Sequence, residues 1–211
     1  MSTLATHTIR ATDRIEEIEE RLEVIEDRKG EILQAAEQAK EEDDGLSREL
    51  EDEWDDLSDE ETELTGKLRK FREVREVWGE RPTDEEGEPT GDYVCEWVVR
   101  ELSFGQLQAV SDDMMEESFE VDVERGDVQG TPKQGVYQIE LLREAIEEQP
   151  PGAPTRTVST STQTIDKPAP SNYPFQIGEW LFEKVDAINT TGEQDMGNSS
   201  LEEALKTKSR R

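Results

Sequence analysis

Apolar residues recur every seven positions from residue 12 to residue 78. With Ile15 at heptad position a, the a series is Ile15, Leu22, Lys29, Ala36, Asp43, Leu50, Leu57, Leu64, Phe71 and Trp78. The d series is Ile18, Ile25, Ile32, Ala39, Leu46, Glu53, Glu60, Lys67 and Val74. Fourteen of these nineteen residues are apolar, no proline interrupts them, and the positions between are mostly Glu, Arg, Asp and Lys. That spacing predicts a coiled coil. Thr12 is the expected N-cap, with Ile15 and Ile18 opening the stripe behind it.

Glu41-Glu42-Asp43-Asp44-Gly45 breaks the seam with an a-position Asp and ends on a residue suited to a helix C-terminus. A hinge there leaves two arms, each about 45 Å long at 1.5 Å per residue. If they fold back, Ile15 meets Val74, Ile18 meets Phe71, Ile25 meets Leu64, Ile32 meets Leu57 and Ala39 meets Leu50. Glu16, Glu17, Glu19, Glu20, Glu23 and Glu26 then lie along Lys67, Arg69, Lys70, Arg72 and Arg75, whereas a parallel in-register dimer sets like charge against like. The expectation is an antiparallel helical hairpin with Ile15, Ile18, Leu22, Ile25, Ile32, Leu50, Leu57, Leu64, Phe71 and Val74 at its interface. A straight helix in a parallel oligomer is the alternative.

Beyond the heptads the pattern changes. Residues 1–11 carry no periodicity and are expected to lack order. Residues 79–92 include two prolines and three glycines among polar residues and read as a linker. Tyr93 to Leu102 has the aromatic and β-branched content of a strand, with Cys95, Trp97 and Val99 on one side. Ser103-Phe104-Gly105-Gln106 is a capping box opening a helix that carries Leu107, Val110, Met114 and Met115. Gly130 to Gly135 reads as a turn, and Val136 to Ile146 as a helix ended by Pro150-Pro151. Residues 93–149 therefore form a small α+β, mostly helical domain. A connector rich in Pro, Ser and Thr follows at 150–172. Residues 173–190 form a docking helix, begun by Asn172-Tyr173-Pro174, whose partner-binding face is Ile177, Trp180, Leu181, Val185 and Ile188. Residues 191–211 read as a disordered tail. The fold class expected is mainly α.

Charge narrows the function. The 211 residues hold 54 acidic and 24 basic side chains, a net charge of −30, and only 31% are apolar. Residues 1–80 and 81–211 each carry 27 acidic and 12 basic side chains, so the excess is spread over the whole chain. An even spread with 15 Arg against 9 Lys resembles the proteins of haloarchaea, for which molar salt shrinks the Debye length to about 3 Å. Low hydrophobicity with high net charge also describes disordered chains and DNA mimics. Direct contact with nucleic acid or anionic lipid is disfavoured. No apolar run is long enough to span a bilayer and no signal-peptide core precedes residue 17.

Catalytic and metal chemistry find little footing. One His, His7, lies outside any expected core, and Gly66-Lys67 lacks the first Gly and the final Ser or Thr of a phosphate loop. Residues 41–63 hold fourteen carboxylates and one Arg, but not in EF-hand order. Cys95 on a buried strand reads as a core residue. No catalytic residue, cofactor or metal ligand is assigned.

The order of elements resembles the tail assembly chaperones of tailed viruses. The resemblance lies in Arg100-Glu101-Leu102-Ser103-Phe104-Gly105-Gln106-Leu107 after a strand. It continues in Tyr173-Pro174-Phe175-Gln176-Ile177-Gly178-Glu179-Trp180-Leu181-Phe182-Glu183-Lys184-Val185 followed by an Asn, and covers residues 93 to 190. It implies a non-enzymatic assembly factor that associates with tape measure and tail tube proteins in the host cytoplasm. The N-terminal coiled coil departs from that compact pattern. A structural coiled-coil component of the virion and an acidic DNA mimic are the alternatives, and self-association into a homo-oligomer is compatible with either of the first two.

Overall fold

A computed structural model describes residues 4–41, 47–122, 127–130, 134–159 and 163–190. It is mostly helical with a small sheet component, and it divides into two compact units, one of which is Arg10–Glu96 with Pro150–Gly152.

That unit is built on two 31-residue helices, α1 (Ala11–Glu41) and α2 (Arg48–Trp78). The helix begins one residue ahead of Thr12, which lies inside the first turn; fully buried Ala11 donates its N–H to Cys95 O at 3.0 Å. Ser47 caps α2, accepting from Leu50 N–H, and the chain leaves α2 at Gly79. The hinge expected at Glu41–Gly45 lies, after Glu41, outside the described residues. Residues 79–92, expected as a linker, are instead tied down. Glu80 and Val94 exchange both backbone hydrogen bonds, at 2.9 and 2.8 Å, and Asp84 Oδ1 accepts from the N–H groups of Glu86 and Glu88. Gly87 holds φ +85°, which an L side chain adopts only under strain. An Asx-type turn supplies order that Pro and Gly counting does not register.

The other unit has a three-stranded sheet in the order β1 (Thr6–Arg10), β2 (Glu96–Arg100), β5 (Ile146–Glu148). Between them lie α3 (Phe104–Ser118), the antiparallel pair β3 (Phe119–Asp122) and β4 (Asp127–Gly130), and α4 (Gln134–Ala145). The antiparallel ribbon β6 (Thr155–Ser159) and β7 (Thr164–Pro168) and helix α5 (Phe175–Thr190) follow.

Four sequence expectations change here. Residues 6–10, expected without order, are a strand whose Ile9 is buried. The β3–β4 pair was not foreseen, and the turn expected at Gly130–Gly135 falls largely outside the described residues. The helix over 136–146 stops at Ala145, not at the prolines. Ile146 pairs with Val99 in the sheet, where a β-branched residue loses less than in a helix. The connector at 150–172 contains β6 and β7, whose β-branched Thr155, Thr157, Val158, Thr164 and Ile165 favour a strand.

The core of this unit gathers around Trp97 and Val99, both fully buried, with Leu141, Leu142, Ile177, Leu181 and Val185. Trp97 meets Trp180 edge to face, with ring centroids 5.8 Å apart at 77°. The capping box forms reciprocally: Ser103 N–H donates to Gln106 Oε1 at 3.0 Å, and Gln106 N–H donates to Ser103 Oγ at 3.4 Å. One link is specific to a single side chain. Leu102 N–H donates to Asn189 Oδ1 at 2.7 Å, while Asn189 Nδ2 donates to Val185 O. Asn189→Ala leaves a half-buried N–H without its acceptor and is expected to cost about 1–3 kcal/mol. Denaturant unfolding reads that loss, and Asn189→Asp, which keeps the acceptor, should recover part of it.

Candidate interaction surfaces

Six of the ten residues expected at the helix interface are buried: Ile15, Ile18, Ile25, Ile32, Phe71 and Val74. Leu22, Leu50, Leu57 and Leu64 are half-buried. Leu68 is buried as well, outside the a and d series.

The polar residues of the heptad seam are each in an ion pair where they are described. Arg21 grips Glu60 with two hydrogen bonds of 2.7 and 2.8 Å, and Arg28 grips Glu53 the same way at 2.7 and 2.9 Å. Lys29 bonds Glu61 at 2.6 Å and stands 4.8 Å from the centre of the Trp54 ring. Arg72 reaches Glu19, and Lys67 pairs with Glu63 within α2. Bidentate guanidinium–carboxylate pairs add geometric specificity beyond their charge. Sequence inspection missed Arg21, Arg28 and Trp54, although Arg21 and Arg28 stand seven apart, as do Glu53 and Glu60.

These hydrogen bonds and charges hold the carboxyls of Glu53 and Glu60 below the ordinary carboxylate range and raise the guanidinium groups of Arg21 and Arg28. A carboxyl lowered in the folded state contributes stability that is present above its unfolded value, about 4.3, and is lost as pH falls through the folded value. Relief of global repulsion on acidification acts in the opposite sense, so a variant must isolate the pairs. The advantage in thermal midpoint of the native chain over Arg21→Ala/Arg28→Ala is expected to be present at pH 6 and to shrink steadily below about pH 4. An advantage independent of pH would contradict these pairs.

The face expected on α5 is turned into its own unit. Ile177, Leu181 and Val185 are fully buried and Trp180 nearly so, while Ile188 is half-buried. The helix satisfies its hydrophobic stripe internally, which corrects its assignment as a partner-binding surface. Val110 on α3 is likewise buried, with Leu107 and Met114 half-buried. What stays outside is Phe104 and Phe175, 75% and 72% exposed at the first residue of α3 and of α5. Both belong to the two stretches that carry the family resemblance, and the sequence reading singled out neither.

Reactive chemistry is sparse among the described residues. The Cys95 thiol is pushed up to about 12, chiefly by burial, and so stays protonated. His7 Nε2 lies 3.4 Å from Glu101 Oε1 on a partly exposed surface. No group of three or more His, Cys, Asp or Glu is placed to hold a metal ion, and no helix is long and apolar enough to cross a membrane, among the described residues. Comparison with known proteins finds no matching family model, no matching curated protein and no matching solved structure.

Proposed function

We propose that this protein is a non-enzymatic docking scaffold. In this reading α1 and α2 form an antiparallel coiled-coil hairpin that presents a charged arm. The observation that carries the proposal is the cross-helix set Glu19–Arg72, Arg21–Glu60, Arg28–Glu53 and Lys29–Glu61, in which the α1 residue nearest the start of its helix pairs with the α2 residue nearest the end of its own, and the later α1 residues pair further back along α2. In the register expected from the apolar seam Lys29 faces Glu60 and Glu19 faces Lys70, and their ion pairs fall one and two residues from that; Arg21 and Arg28 reach carboxylates eight residues from the positions they face.

The particular assignment is an assembly factor of a tailed haloarchaeal virus, acting on tail tube or tape measure proteins in the host cytoplasm. Support comes from the resemblance at Arg100–Leu107 and Tyr173–Val185. These stretches, distant in sequence, belong to one unit, with Asn189 bonded to the Leu102 backbone and Trp97 against Trp180. The even negative charge supports the halophilic part. The length of the α1–α2 arm favours the second reading, a structural component retained in the virion.

Deleting the coding sequence from the viral genome tests the assignment. The expected result is tailless or non-infectious particles, rescued by the intact chain and bound in vitro by the tape measure or tube protein of the same genome. Normal infectious particles would overturn it. Stoichiometric presence in purified particles would overturn the chaperone reading in favour of the structural one.

A further inference from the structure

The β6–β7 ribbon places two cations where an acidic protein has least reason to put them. Its ladder pairs Thr155 with Pro168, Arg156 with Lys167, Thr157 with Asp166, Val158 with Ile165 and Ser159 with Thr164. Successive residues of a strand point to opposite faces, and directly opposed residues share one. One face therefore carries Arg156 and Lys167 beside Val158 and Ile165. The other is polar and internally bonded, with Thr157 Oγ1 donating to Asp166 Oδ1 at 2.8 Å.

Like charges directly opposite each other destabilise a strand pair. Arg156 and Lys167 are both exposed, and among the described residues neither has an ion-pair partner, in a chain with 54 carboxylates. Val158 and Ile165 beside them are only half-buried. A two-stranded ribbon is by itself marginally stable in water, so a face of this kind gains from being covered by something anionic with an apolar edge.

A matching surface exists on this chain. Asp52, Asp55, Asp56 and Asp59 of α2 are all exposed, and none has an ion-pair partner among the described residues. Their spacing of three, four and seven puts them on one side of the helix over about 10 Å. Half-buried Trp54 and Leu57 lie within the same two turns. Like charges four apart on a helix are destabilising too, so each surface carries a repulsion that the other would relieve.

We propose that the Arg156/Lys167 face of one copy docks on the Asp52–Asp59 side of α2 in a second copy of this chain. The two patches lie on different parts of the chain. The contact is therefore reciprocal in a two-fold dimer, or propagates into a ring or filament if the rotation does not close that way.

Sedimentation velocity on the full chain, at one fixed salt concentration where circular dichroism reports it folded, tests this with charge-swapped variants. Wild type is expected to self-associate in the micromolar range. Arg156→Glu/Lys167→Glu and Asp52→Lys/Asp55→Lys/Asp59→Lys are each expected to weaken association at least tenfold when alone, and to recover it as a hetero-complex when mixed. If a swapped variant loses its helical signal, Arg156→Gln/Lys167→Gln replaces it and should still weaken association. A wild type that stays monomeric at 100 µM overturns the proposal, as do variants that associate as well as wild type or a mixture that recovers nothing.

Discussion

Trp97→Ala is expected to lower the free energy of unfolding by about 3–5 kcal/mol, the usual range for truncating a fully buried aromatic. Trp97 has no exposed surface, sits on the central strand of the three-stranded sheet and meets Trp180 edge to face. Its removal strips away large apolar contact and leaves a hole between β2 and α5 that a sheet hydrogen-bonded on both sides cannot close. Urea titration monitored by circular dichroism gives the number. A loss under about 1 kcal/mol would mean that the space collapses, as a core residue's surroundings rarely do, and would contradict this placement of α5.

Glycine substitutions are expected to separate by sign. A Cβ on Gly152 would lie 2.4 Å from Val77 O and 2.6 Å from Trp78 Cα, both backbone atoms that cannot swing away. The same residue donates its N–H to Trp78 O at 2.9 Å, a bond that any displacement loosens. Overpacking of about 1–3 kcal/mol together with a weakened hydrogen bond of about 1 kcal/mol makes Gly152→Ala strongly destabilising. Gly30→Ala and Gly66→Ala stand in the middle of α1 and α2, where the added methyl meets nothing within 4 Å beyond the adjoining helix backbone and chain neighbours. They should stabilise by about 0.5–1 kcal/mol through helix propensity alone. Thermal unfolding of the three variants checks this; a Gly152→Ala midpoint at or above wild type would show that the chain does not pass so close to the end of α2.

Elements with a long, regular period were legible in the sequence, because burial and spacing there agree. The described residues of the heptad seam are buried or half-buried, and Ser103 with Gln106 forms a capping box, since the spacing that sets each is local to the chain. Elements set by partners far along the chain were not legible. Residues 6–10 and Ile146–Glu148 are strands because the two sides of β2 were open to receive them. Nothing in THTIR or IEE alone demands it. Thr155–Ser159 and Thr164–Pro168 were hidden by a composition that also describes connectors, although both contain β-branched residues: Thr155, Thr157 and Val158 in one, Thr164 and Ile165 in the other. The face of α5 was found correctly as amphipathic, but amphipathicity does not reveal whether the covering surface belongs to the same chain. The exposed Phe104 and Phe175 were missed for the converse reason: a single apolar residue at a helix start carries no pattern.

The central claim is that α1 and α2 pack back on each other as an arm for docking. Nitroxide labels at Glu16→Cys and Glu76→Cys, both exposed and one turn beyond the Glu19–Arg72 pair on their helices, test it most directly. Cys95, buried with its thiol held protonated, stays unlabelled. In pulsed dipolar spectroscopy, with labelled chains diluted in unlabelled ones, the account predicts a distance on the order of 20 Å, a helix spacing of about 10 Å plus the label arms. A separation approaching about 90 Å, the length of sixty residues of uninterrupted helix, would contradict it.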